Sequence, residues 1–182
     1  MSHKLLQKIV LLLWLPQLAL YPALTVAEVP VPSANFSTND GGKTHIDVTG
    51  SAGQQAMRLV QPDKFNTYNW DSFNIGAGDS VTFQQPSESS TALNYIHQNS
   101  ISKIAGQLKA NGNLYLINQN GFLFGNGAMV NVGSLVASVL NIDEEMLADN
   151  GLVQSIQQQK PAFFTDGVLV DEDGKPYNIE IE

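Results

Sequence analysis

The side chains best suited to chemistry are few and scattered. Asp171-Glu-Asp-Gly174 sets two aspartates two positions apart, a pattern that could hold Ca²⁺ or supply paired carboxylates for glycan cleavage. A calcium loop needs the Asp-x-Asp-x-Asp-Gly register and a terminal Glu, and the neighbouring residues do not provide them. A solvated acidic turn is the simpler reading. Arg58 is the single arginine, His45 and His97 fall in unrelated segments, and there is no cysteine. No serine stands in a nucleophile motif. The expectation is therefore no catalytic residue, no cofactor and no metal ligand, with a carbohydrate-active β-helix protein the weakest of the functional readings. Asn118-Gln119-Asn120-Gly121 is of another kind. Its residue types make corners, because Asn bonds nearby backbone and Gly adopts left-handed dihedrals without steric cost.

The chain begins with the three-part layout of a secretory signal peptide. Lys4 and Lys8 give a positive start, Ile9 to Leu15 and Leu18 to Leu24 are apolar, and Thr25-Val26-Ala27 ends in small residues that a signal peptidase can accept. Pro16, Gln17 and Pro22 break the apolar run well short of the ~20 residues a membrane helix needs. The predicted products are a leader, 1–27, and a mature chain starting at Glu28. That mature chain has seven basic and seventeen acidic residues, a formal charge of −10. Displacing counterions from a phosphate backbone requires clustered Lys and Arg, so no nucleic-acid partner is expected. Without cysteine, about 155 residues must be held by burial and backbone hydrogen bonds alone.

The elements that must position these residues read mostly as short strands. Val29-Pro-Val-Pro-Ser33 reads as an extended linker, and Asn39-Asp-Gly-Gly42 as a turn. His45–Val48 and Ser80–Phe83 alternate polar and apolar residues, the period of half-buried strands. Between 111 and 141 come brief apolar runs at 114–117, 122–124, 128–130 and 135–137, separated by Asn- and Gly-rich corners. This spacing fits a parallel β-helix that turns every few residues, with Asn ladders at equivalent corners, while an antiparallel sandwich remains open. Two segments could also be helical, the first against the low propensity of Asn94, Asn99, Ser100, Ser102 and Gly106. Leu93–Leu108 aligns Leu93, Ile96, Ile101, Ile104 and Leu108 on one face, and Asp143–Ala148 starts with an N-cap residue and acids. The division expected is 28–142 as the core and 143–182 as an acidic continuation. That tail ends on the alternating stretch Tyr177–Glu182, which looks like a strand cut mid-sheet in a truncated β-helix.

Several longer motifs carry a resemblance. Tyr68-Asn-Trp-Asp-Ser-Phe-Asn-Ile-Gly76 is followed by Val81–Pro86, Ala92-Leu-Asn-Tyr-Ile96, Ile101–Leu108, Gly112–Gly121 and Gly127-Ala-Met-Val-Asn131. In this order and spacing they resemble the secretion domain of two-partner secretion exoproteins, the filamentous haemagglutinin N-terminal family. The pattern is most similar to its high-molecular-weight adhesin branch. The resemblance covers roughly residues 33–142 and rests most on Trp70, Phe73, Asn74, Ile75, Asn94, Ile96 and Gly106 as the family's core motif. It implies an all-β fold, a right-handed parallel β-helix with a small capping sheet. The family's Asn-Pro-Asn-Gly secretion motif maps onto Asn118-Gln119-Asn120-Gly121, with Gln119 in place of the proline.

The resemblance further implies an N-terminal secretion domain of a large exported adhesin or haemagglutinin. The implied partner is an outer-membrane barrel transporter that recognises the domain through periplasmic POTRA domains. The Sec machinery and signal peptidase act earlier, and a host-cell surface would be the final contact. The chain would then be secreted, or held at the cell surface, by a Gram-negative bacterium after passing the periplasm. The leader of a contact-dependent toxin exoprotein is the alternative, since such proteins share the export domain and differ downstream.

Overall fold

The computed structural model describes residues 28–37 and 39–142, together with strands at Phe163–Phe164 and Ile179–Ile181. The predicted leader 1–27, the predicted helix at 143–148 and the acidic turn 171–174 lie outside the described residues.

The described chain contains strands and no helix. Two strands come first, β1 (Val31–Ser37) and β2 (His45–Ser51). Four coils of a parallel solenoid follow. The first is β3 (Gln54–Val60), β4 (Phe65–Ser72) and a single bridging residue, Ile75; the second is β5 (Ser80–Gln84), β6 (Thr91–Ile96) and β7 (Ser102–Ile104). The third is β8 (Gln107–Ala110), β9 (Asn113–Ile117) and β10 (Phe122–Phe124). The fourth has β11 (Met129–Asn131) and β12 (Ser134–Ser138), and its third side is β15 (Ile179–Ile181), reached after the antiparallel pair β13 (Asn141–Ile142) and β14 (Phe163–Phe164).

Corresponding strands of successive coils pair in parallel and in register, building three faces. One face stacks β4, β6, β9 and β12, a second stacks β3, β5, β8 and β11, and the third stacks β7, β10 and β15. The parallel pairing excludes the sandwich. Among the described residues antiparallel pairing is confined to β13–β14 and to the first coil, where β1 lies on β4 and β2 on β3.

Because side chains alternate across a strand, every second position of each coil points inward. Those positions align into columns: Met57, Val81, Leu108 and Val130 on one face; Asn66, Ala92, Leu114 and Leu135 on another; Ile75, Ile104 and Phe124 on the third. Most of the apolar members are buried in one continuous core with Tyr68, Trp70, Phe73 and Phe83. Each fully buried large side chain contributes about 1.5–3 kcal/mol, which is how the chain holds together without disulfides. A second cluster lies outside the coil, where Leu93 and Ile117 meet Ile142 of β13, and the Tyr95 hydroxyl donates to the Ile142 carbonyl at 3.1 Å.

Two expectations are corrected. Leu93–Leu108 is not a helix but β6, a corner, β7 and the start of β8. Its apolar residues sit at helical intervals only because the coil turns. Leu93 faces the outer cluster, while Ile96, Ile104 and Leu108 enter the core from three different sides. Parallel pairing with the coils above and below overrides the weak helix propensity. The linker at Val29–Ser33 is also not free. Val31 and Pro32 already belong to β1, opposite Ser72 and Trp70, with register shifts on both sides of Pro32. Proline is tolerated there because β1 is the outermost strand of its sheet. The expected turn at Asn39–Gly42 forms, with positive φ at Gly41 and Gly42. In β2, Ile46 packs on the core as its alternation predicts, but Val48 is exposed.

Candidate functional site

The corner after β9 is built by Asn118 to Gly121. The Gly121 amide donates to the Asn118 carbonyl at 2.9 Å, closing a four-residue turn with Gln119 in its second position. Gly121 has φ +94°, a conformation that costs a side chain bearing Cβ but not glycine. The Asn118 side chain is fully buried and spans two coils. Its amide donates to the Ser100 carbonyl at 3.1 Å and the Ser102 hydroxyl at 2.9 Å, and its Oδ1 accepts from the Asn120 amide at 2.9 Å. Asn120 ties the turn again to the preceding coil, donating from Nδ2 to the Gln98 carbonyl at 2.8 Å.

Gln98 does for its own coil what Asn118 does for the next. Its Oε1 accepts from the Phe73 amide at 3.1 Å, and its Nε2 donates to the Ser100 carbonyl and the Ser102 hydroxyl. The Gln119 side chain enters none of these bonds. It borders, with His97, Asn99, Asn120 and Asn141, a shallow cleft of about 320 Å³ on the outer side of the corner.

A second polar ladder occupies the corner between β3–β4 and its successors. Gln85 donates to Oε1 of Gln61 at 3.1 Å, and its own Oε1 accepts from the Gly112 amide at 2.9 Å. Asn111 clamps the Gln85 backbone from both sides, accepting from its amide at 2.7 Å and donating to its carbonyl at 2.8 Å. The third corner is close-packed backbone. Gly106 lies where a Cβ would stand 2.2 Å from the Gly76 carbonyl oxygen and 2.3 Å from that of Asp79.

The core-motif residues surround these corners. Trp70 is fully buried, donates from Nε1 to Oδ1 of Asn94 at 3.0 Å, and meets Phe36 and Phe73 edge-on at 4.7 and 5.3 Å. Asn94 passes the chain of bonds onward, donating to the Tyr115 carbonyl at 3.1 Å. Asn74 accepts from the Lys103 amide at 2.8 Å, Ile75 bridges Ile104, and Ile96 is buried. Trp70, Phe73, Asn74, Ile75, Asn94, Ile96 and Gly106 thus hold one coil to the next. Of these seven, Ile96 borders the cleft with Gln119 and Asn120, and the other six do not line it.

Two charged groups stand apart. Asp40 is buried, which opposes its charge, yet the Thr44 hydroxyl and the Gly42 and Thr44 amides hold its carboxyl down to about 2. That carboxylate fixes the Asn39–Gly42 turn. On the outer face of β2 and β3 the Arg58 guanidinium meets Asp47 at 2.8 Å and, with His45, keeps that carboxyl below its ordinary range. His45 and Arg58 therefore share Asp47, though on an exposed face where an ion pair contributes little. Among the described residues no three His, Asp or Glu side chains gather to hold a metal ion.

Sequence reasoning missed Gln61, Gln85 and Gln98, which are buried polar corner formers. A glutamine beside Pro, Asp or Asn reads as surface, and only the recurrence of Gln at the same corner of successive coils signals otherwise.

The buried polar groups of these corners bond to the solenoid's own backbone and side chains. The TPS secretion domain family matches residues 33–179, and the chain belongs to that family, which is a secretion-domain family and not an enzyme family. Two heme/hemopexin-binding proteins of Haemophilus influenzae are similar to it, 34% identical over 110 residues and 35% identical over 116, covering 60% and 61% of this chain. The matched region is 12% of the length of each of those proteins. The crystal structure of the HMW1 secretion domain from Haemophilus influenzae is also similar, with a TM-score of 0.50 and 29% identity over 61% of this chain and 29% of that one.

Proposed function

We propose that this chain is the N-terminal secretion domain of a large exported adhesin of a Gram-negative bacterium. In this reading an outer-membrane barrel transporter captures it in the periplasm through POTRA domains, after Sec export and leader removal. The family match over residues 33–179 carries the reading. The surface receptor of such a protein, whether a host cell or a heme carrier like the one in the relatives' names, would be the business of regions these relatives do not share with the chain.

Folding outside the cell supplies the direction of transport. Each coil hydrogen-bonds to its predecessor, so a folded coil is a template for the next. Among the described residues β11 and β12 are outermost on their faces, and Met129 and Val130 of β11 are exposed at 55% and 41%. Val130 continues the column of Leu108 and Val81, the position on which a following coil would stack.

The secretion motif divides by role. Asn118 and Asn120 act through the folding of the corner, and Gln119 is the side chain left for the transporter. Asn118→Ala removes the donors to Ser100 and Ser102 and is expected to lower stability by about 1–3 kcal/mol, with secretion falling in step. Gln119→Ala is expected to reduce secretion while leaving urea unfolding unchanged. Full secretion of both variants through the cognate transporter would contradict the assignment.

A further inference from the structure

Asp79 is a buried carboxylate, 1% exposed, at the corner that leads into β5. Its Oδ1 accepts from the Gln55 amide at 2.7 Å and its Oδ2 from the backbone nitrogen of Glu28 at 2.8 Å. Among the described residues no Lys, Arg or His pairs with it. Burying a carboxylate this completely is costly unless a positive charge or several donors compensate, and two neutral amides are a sparse supply.

Glu28 is held at further points. Its carbonyl accepts from the Gly76 amide at 2.9 Å, and its side-chain carboxylate accepts from Nδ2 of Asn74. The first described residue is thus fixed by the corner of the first coil, with its nitrogen aimed at Asp79.

The leader is predicted to end at Ala27. Hydrolysis of the Ala27–Glu28 bond adds one water, leaving a carboxylate on Ala27 and an amine on Glu28. That amine takes up a proton at neutral pH, more readily beside a carboxylate. We propose that Asp79 is the binding site for the new α-ammonium of Glu28, forming a buried ion pair available only to the processed chain. The proposal rests on cleavage after Ala27. The pair joins the start of the mature chain to the openings of β3 and β5, so leader removal tightens the N-terminal end of the solenoid. An unprocessed chain offers Asp79 a neutral amide in the same place.

The intact mass of the secreted chain tests the cleavage first: a first residue other than Glu28 removes both the processing reading and the proposal. With Glu28 first, urea unfolding is compared for the processed chain and for one carrying a single Ala before Glu28. Both are made with Asp79 and with Asp79→Asn. The extra residue is expected to lower the folding equilibrium constant by on the order of tenfold to a hundredfold with Asp79, and far less in the Asp79→Asn background. Equal effects in the two backgrounds, or none, overturn the capture while leaving the cleavage intact. A measurement on the unaltered chain guards against a variant that fails to fold. In a ¹⁵N spectrum a buried Glu28 ammonium gives a resonance protected from water exchange, and its loss to fast exchange overturns the proposal.

Discussion

Gly106→Ala is expected to prevent the native solenoid from forming, or to destabilise it by more than about 4 kcal/mol. The added Cβ would lie 2.2 and 2.3 Å from two carbonyl oxygens and 2.9 Å from the Ile75 Cγ2. Neither carbonyl is free to retreat. The Gly76 oxygen accepts from the Asp79 amide at 2.9 Å, and the Asp79 oxygen accepts from the Gln107 amide at 3.0 Å. Relief by moving Gly106 itself would break its own bond to the Ile75 carbonyl at 3.1 Å. Each escape disrupts the corner on which consecutive coils stack. Gly125→Ala is the control, because a Cβ there meets nothing closer than 3.8 Å and is expected to change stability by less than about 1 kcal/mol. Circular dichroism during urea unfolding separates the two. A cooperative transition for Gly106→Ala at the parental midpoint would contradict the packing described.

Trp70→Ala is expected to cost about 3–5 kcal/mol. The indole is fully buried, fills the space between Phe36 and Phe73, and is the donor that satisfies Asn94 inside the core. Truncation therefore leaves a cavity and an unpaired amide oxygen together. Trp70→Phe separates these effects. It keeps most of the ring volume but deprives Asn94 of its donor, an expected loss of about 1–3 kcal/mol. Denaturant midpoints measure both, and a phenylalanine variant as stable as the parent would show that the Trp70–Asn94 bond contributes nothing.

The corners were more legible in the sequence than the faces. Asn118, Asn120 and Gly121 announced a turn by residue type, and the runs from 114 to 137 announced strands by length and alternation. The interval from Leu93 to Leu108 misled because a coil that turns every few residues places inward side chains at irregular spacings. Ile96, Ile104 and Leu108 fall at helical intervals although they point into the core from separate faces. Pro32 misled for a different reason. Its missing amide argues against a central strand, and β1 is an edge strand. The buried polar residues were least legible. Beyond bonds within their own corners, Gln61, Gln85 and Gln98 each depend on a partner 24 to 30 positions away, and no local pattern encodes that. The motif Trp70 to Gly106 was found through family resemblance. Its physical content, a set of contacts holding one coil to the next, emerged only from the structure.

Export through the outer membrane tests the proposed function most directly. Residues 1–182 are produced in a Gram-negative host with and without the cognate outer-membrane transporter, and the chain is measured in the medium and the periplasm. Accumulation in the medium only when the transporter is present is the expected result. Equal appearance in the medium without it would contradict the proposed function.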